Sequence, residues 1–167
     1  MTARPTGTSA PSGAGQTLSP VDGLAQLSFL VQGLLERRAR ELDLSIIQTR
    51  LLGVLRDRRP TMNELARLLD LDKSSVTGLI DRAERRGLVE RVPSTTDRRA
   101  VLVSLTGHGR SLASEGAARF AADVSLLLEC LPSADRDALS WLISRLLVAH
   151  AAAQGIDLFA TVSTGDP

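Results

Sequence analysis

The side chains best suited to chemistry fall within one stretch, residues 73 to 99. Ser74, Ser75, Thr77 and Gly78 come first, Arg82 and Arg85 follow, and Asp97-Arg98-Arg99 close it. Short hydroxyls donate and accept hydrogen bonds at close range, and arginine guanidiniums offer forked donors to base acceptors or phosphates. Seven basic residues (Lys73, Arg82, Arg85, Arg86, Arg91, Arg98, Arg99) stand against four acidic ones (Asp81, Glu84, Glu90, Asp97), although the whole chain carries a formal charge of only +1. Such a local excess suits a polyanionic partner.

The rest of the chain offers little for bond-making chemistry. No nucleophile with a base, no carboxylate pair and no metal cluster emerges, so the chain reads as a non-enzyme without cofactor or metal. A single cysteine, Cys130, permits no internal disulfide, and His108 and His150 lack ligand spacing. Aromatic residues make up 2% of the chain, with no tyrosine, which disfavours stacking on unpaired bases and leaves duplex as the fitting nucleic acid. No apolar run approaches the roughly 20 residues that span a bilayer, and no leader pattern opens the chain, so a cytoplasmic protein without a membrane partner is expected. Arginine outnumbers lysine almost completely, with Lys73 alone, a bias that a GC-rich bacterial genome would produce.

The elements that must position these side chains follow from capping signals and periodicity. Residues 1–18 are rich in Thr, Ala, Pro, Ser and Gly, too poor in apolar surface to offset chain entropy, and read as a disordered tail; residues 156–167 read as a second tail. Ser19-Pro20 caps a helix whose stripe is Leu24, Leu27, Val31, Leu34 and Leu35, running to about Leu42. Ser45 and Gln48 form a capping box for a second helix with Ile47, Leu51, Val54 and Leu55 inside, ending around Arg58. Thr61 and Glu64 form another, opening a short third helix with Met62, Leu65, Ala66 and Leu69. After Asp70-Leu71, Asp72 caps a fourth, whose inner face is Val76, Leu79, Ile80 and Ala83 and whose end is Gly87 in the left-handed conformation. Two short helices joined by so tight a turn make a helix-turn-helix.

The period then changes. Leu88–Val92 and Ala100–Leu105 read as the strands of a β-hairpin whose tip carries Asp97, Arg98 and Arg99. Thr106 caps a long helix, Pro132-Ser133 breaks it, and a last helix with Leu139, Leu142, Ile143, Leu146 and Leu147 runs to Gly155.

On the fourth helix the inward stripe leaves Ser74, Ser75, Thr77, Gly78, Asp81, Arg82 and Arg85 outward. A recognition helix in a major groove needs short polar residues near its N-terminus and longer donors further along. A solvated face on an ordinary amphipathic helix has the same pattern. Gly78 inside a helix costs about 1 kcal/mol against Ala, which close approach to DNA or to a neighbouring helix would offset. The arginines of a narrow β-ribbon suit a minor groove, or else internal ion pairs.

The run from Ser74 to Arg82, the run Arg86-Gly-Leu-Val-Glu-Arg91, the run Asp97-Arg-Arg-Ala-Val-Leu-Val-Ser-Leu-Thr106, and Gly109-Arg110 together resemble the MarR family of bacterial regulators. The Asp-x-Arg-x5-Leu-Thr spacing is the specific part, and the element order agrees over nearly the whole ordered chain. The resemblance implies a mainly α protein in two lobes: a winged helix-turn-helix over residues 45–106 with a small hairpin wing, and a helical dimerisation lobe from residues 19–44 and 107–155. It implies base contacts from Ser74, Ser75, Thr77 and Arg82, and a wing arginine at Arg99 organised by Asp97; Arg98 is added on charge and position. The implied activity is transcription regulation, by repression, as a homodimer on a pseudo-palindromic site. Ala83 stands where the family carries a larger aliphatic residue.

Some members of that family sense thiol oxidation through a cysteine in the first helix, which this chain lacks; Cys130 reads as a small buried hydrophobe. Others bind small aromatic or anionic effectors between the lobes, where Arg37, Arg38 and Arg50 would meet an acid group beside Leu27, Leu34 and Ile47, unless those arginines are merely solvated. The alternative function is a winged-helix module that binds protein. It predicts an acidic or apolar outer face on the fourth helix, and Arg82, Arg85, Arg98 and Arg99 argue against it.

Overall fold

Helices begin where a side chain stands ready to accept from the orphan amides of a first turn. Ser19, Ser45, Thr61, Asp72 and Thr106 each accept from the backbone N–H three residues on, and at Ser45 and Thr61 the reciprocal bonds from Gln48 and Glu64 complete capping boxes. The computed structural model describes residues 17–94, 100–153 and 155. Their order is α1(Pro20–Glu41), α2(Ile46–Leu55), α3(Met62–Leu69), α4(Lys73–Arg85), β1(Val89–Pro93), β2(Val101–Leu105), α5(Gly107–Leu128) and α6(Ser133–Ala153). Asp97, Arg98 and Arg99, together with residues 1–16 of the proposed N-terminal tail and the whole proposed tail over 156–167, lie outside the described residues.

The core is built by α2, α3, α4 and the hairpin. Leu51, Leu52, Leu65, Leu69, Val76, Leu79, Ile80, Leu88 and Val103 are fully buried, and Ala83 is sealed with them. The turn from α3 into α4 is tight because Asp70 takes the left-handed conformation at φ 54°, which returns the chain over its own helix end. Gly87, at φ 65°, does the same after α4 and delivers Leu88 into the core, with the Leu88 amide bonded to the Ala83 carbonyl at 2.9 Å.

β1 and β2 pair antiparallel, Val89 opposite Leu105 and Pro93 opposite Val101. A third short edge was missed in the sequence: Thr61 bridges Leu102, and the Val103 amide donates to the Pro60 carbonyl at 2.9 Å. Its signal was Pro60, which an edge position tolerates because no amide is needed there. This edge also explains why α2 stops at Leu55 and not near Arg58: the chain must leave helical geometry to reach an extended Pro60-Thr61.

α5 packs against α1, α2 and β2, whereas α6 has no extensive packing on any other described element. The α1–α5 seam carries an ion-pair chain. Arg38 binds Asp123 at 2.6 Å and Glu41 at 2.8 Å, and Arg119 reaches Glu41 at 3.1 Å and Glu115 on its own helix at 2.5 Å. Toward its N-terminus α1 exposes Val21, Leu24, Phe29 and Leu30, and α6 exposes Trp141, Leu142, Ile143, Leu146 and Leu147. Cys130 is exposed in the single chain, at the turn after α5 and not inside a core, with its thiol donating to the Leu127 carbonyl. The break at Pro132 places it beyond the packed part of that helix.

Candidate nucleic-acid interface

One face of α4 is locked inward by Val76, Leu79, Ile80 and Ala83, so the opposite face must point out. Ser74, Ser75, Thr77, Arg82 and Arg85 are exposed there, and Gly78 is half-buried. The structure therefore brings the six nominated α4 residues onto one polar surface.

The three hydroxyls already have partners. Ser74 and Ser75 donate to the two oxygens of Asp72 at 2.5 and 2.6 Å, and Thr77 donates to the Lys73 carbonyl at 2.9 Å. Those bonds, Ser74 first, hold the Asp72 carboxyl well below the usual carboxylate range. Each hydroxyl gives its proton to a group in the first turn of its own helix and keeps acceptor lone pairs. Gly78 has no neighbouring helix near it; a Cβ there would meet only the Arg82 guanidinium, at 3.2 Å. The missing side chain makes room for Arg82 to lie along the helix surface.

Among the described residues, the basic side chains divide in a way their spacing did not reveal. Arg86 reaches Gln48 at 3.2 Å and Asp43 at 3.1 Å, tying the end of α4 to the α1–α2 turn. Arg91, on β1, bridges Asp81 and Glu84. Lys73, Arg82 and Arg85 make no ion pair with a described residue and face outward with the hydroxyls. Beside them the hairpin is closed by the Ser94 amide donating to the Ala100 carbonyl at 3.0 Å.

A separate apolar recess of about 160 Å³ lies between α1, α2 and α5, lined by Leu35, Leu42, Leu52, Leu112 and Phe120 among others. Of the six residues nominated for an effector it takes in Arg38 alone. That guanidinium is held by Asp123 and Glu41, which raise its pKa and lower theirs. Arg50 faces a shallower cleft with Asp57, Arg58 and Leu68. Leu27, Leu34, Arg37 and Ile47 line neither.

Comparison with known proteins agrees with this geometry. A MarR family model matches residues 42–100, the segment that holds α2 to α4 and the first strand of the hairpin. The transcriptional repressor NicR of Pseudomonas putida is 31% identical over 110 residues, 61% of this chain and 70% of that protein. The multiple antibiotic resistance protein MarR of Salmonella typhimurium is 33% identical over 85 residues, 50% of this chain and 59% of that one. The crystal structure of apo MarR from E. coli superposes with a TM-score of 0.65 at 25% identity, covering 79% of this chain and 99% of the other.

Proposed function

The chain belongs to the MarR family of DNA-binding transcription regulators, and from that premise we propose that it represses as a homodimer seated on a pseudo-palindromic duplex. The observation that carries this reading is the outward face of α4, where hydroxyls and uncommitted basic side chains converge opposite a fully buried stripe. Residues 45–106 form the DNA-reading lobe, and residues 19–44 with 107–155 form the dimerisation lobe. The two α4 helices enter successive major grooves, roughly 10 base pairs apart. Ser74, Ser75 and Thr77 read base edges as acceptors, Gly78 allows close approach of DNA once Arg82 swings off it, and Arg82 and Arg85 reach guanine or phosphate. Arg98 and Arg99 enter the adjacent minor groove, with Arg99 organised by Asp97.

Repression is supported by relatives named as repressors, NicR and YetL, although BadR, 46% identical over 50 residues, is named an activatory protein. The dimer is supported by the apolar surface left open on α1 and α6, which a soluble chain covers with a second copy. Release by a small aromatic or anionic effector is supported by the recess beside Arg38.

The test is selection of binding duplexes from a random-sequence library, followed by two variants. Ser75→Ala with Thr77→Ala flattens discrimination among related sites by about 1 to 3 kcal/mol per lost base contact and spares nonspecific affinity. Arg98→Ala with Arg99→Ala weakens binding to every duplex and lowers the salt slope by roughly 0.9 per lost phosphate contact. Unchanged affinity and salt dependence in the arginine variant would show the wing to be a structural hairpin.

A further inference from the structure

Two carboxylates stand where a DNA-reading surface least tolerates them. Asp81 lies one helical turn from both Thr77 and Arg85, on the outward side of α4, and Glu84 flanks it toward the hairpin. Facing phosphates, an open carboxylate at either position repels the duplex through several ångströms of weakly screened space. Neither is open. Arg91 on β1 bonds Asp81 at 2.7 Å through one terminal nitrogen and Glu84 through the other. The three side chains remain between 30% and 44% exposed, at the surface and not in the core, so the arrangement governs what α4 presents to a partner more than how the chain folds.

We propose that Arg91 is a positioning residue for DNA binding: it pairs with both Asp81 and Glu84, offsets part of their charge and so raises the cationic character of the α4 face. By charge and strand position Arg91 resembles a wing arginine that touches DNA, yet both its terminal nitrogens are spent on α4. The proposal rests on α4 being the DNA-reading helix. A guanidinium suits the role because its fork spans two carboxylates at once, which a lysine ammonium does at only one point.

The experiment measures binding of a labelled duplex, selected by the wild-type full chain from a random library, with circular dichroism to follow folding. Arg91→Gln weakens binding by about tenfold or more, since two uncompensated charges face the duplex. Adding Asp81→Asn and Glu84→Gln to that variant brings affinity back to within about threefold of wild type, and Arg91→Lys falls between. A recovery larger than the gain that Asp81→Asn with Glu84→Gln gives beside an intact Arg91 is a result that neither a direct DNA contact nor a folding role produces. The proposal is overturned if Arg91→Gln binds as wild type, if it loses its helical spectrum, or if the triple variant stays as weak as the single one. A wild-type chain that selects no duplex refutes the reading of α4 itself, a different result from any of these.

Discussion

The two halves of the chain treat the same residues in opposite ways. Leu65, Leu79 and Ile80 in the winged-helix half are between 0% and 1% exposed, whereas Val21 on α1 and Leu146 on α6 are 77% and 57% exposed. One half closes its own core; the other offers apolar surface and leaves it uncovered. Under the proposed function the half that is finished alone carries the recognition surface, and association through the unfinished half sets the spacing between two such surfaces.

The strongest way to break this contrast is to make one truncation in each half. Leu79→Ala costs about 2–5 kcal/mol of unfolding free energy at any protein concentration, because it leaves a cavity in a sealed core. Leu146→Ala leaves the winged-helix half intact and shifts the monomer–dimer equilibrium, read by sedimentation and by a midpoint of unfolding that rises with concentration. Equal, concentration-independent losses in both would end the distinction. Trp141, the single tryptophan, reports the same event: it is 57% exposed in the lone chain, under Arg145 at 4.6 Å, so its emission shifts to the red on dilution as partners separate.

The junction sharpens it. A Cβ on Gly109 would stand 1.9 Å from the Leu88 carbonyl oxygen, and Thr106 bonds the Gly87 carbonyl at 2.6 Å beside it. Gly109→Ala therefore costs about 1–3 kcal/mol or more by pushing α5 off the winged-helix half, measured by chemical denaturation. Thr61→Ala is smaller, about 1 kcal/mol, since it removes one cap in the finished half. The same change at Ser19 frays only the exposed start of α1 and is expected to be milder still.

Acid gives the gentlest comparison. The carboxyls of Asp72, Glu41 and Asp123 are held below their ordinary values, by the Ser74 and Ser75 hydroxyls in the first case and by Arg38 in the other two. Groups depressed on folding contribute stability that is present above the usual carboxylate range and is lost as pH falls through their folded values, below about pH 4. A stability profile that is flat from neutrality to pH 5 and declines below it is the expected outcome. Asp123→Asn removes that part of the decline which belongs to the α1–α5 seam.

Capping residues and period were legible without coordinates. Ser45 with Gln48, Thr61 with Glu64, Asp72 and Gly87 act through neighbours three or four positions away, and a signal that local is written along the chain. The inward stripe of α4 followed from 3.6 residues per turn, and with it the outward set from Ser74 to Arg85. Relations between distant segments were not legible. Which arginines stay uncommitted depended on Asp81 and Glu84 meeting Arg91 from a strand, and on Asp43 and Gln48 meeting Arg86 across the fold. The Pro60-Thr61 edge, the exposure of Cys130 and the recess that takes Arg38 alone among its nominated residues arose in the same way. By itself the sequence determined where each element begins and which face it turns inward, because those depend on local hydrogen bonds and periodic burial. Only the tertiary structure decided which charges remain free to act, because an ion pair is a property of two surfaces brought together.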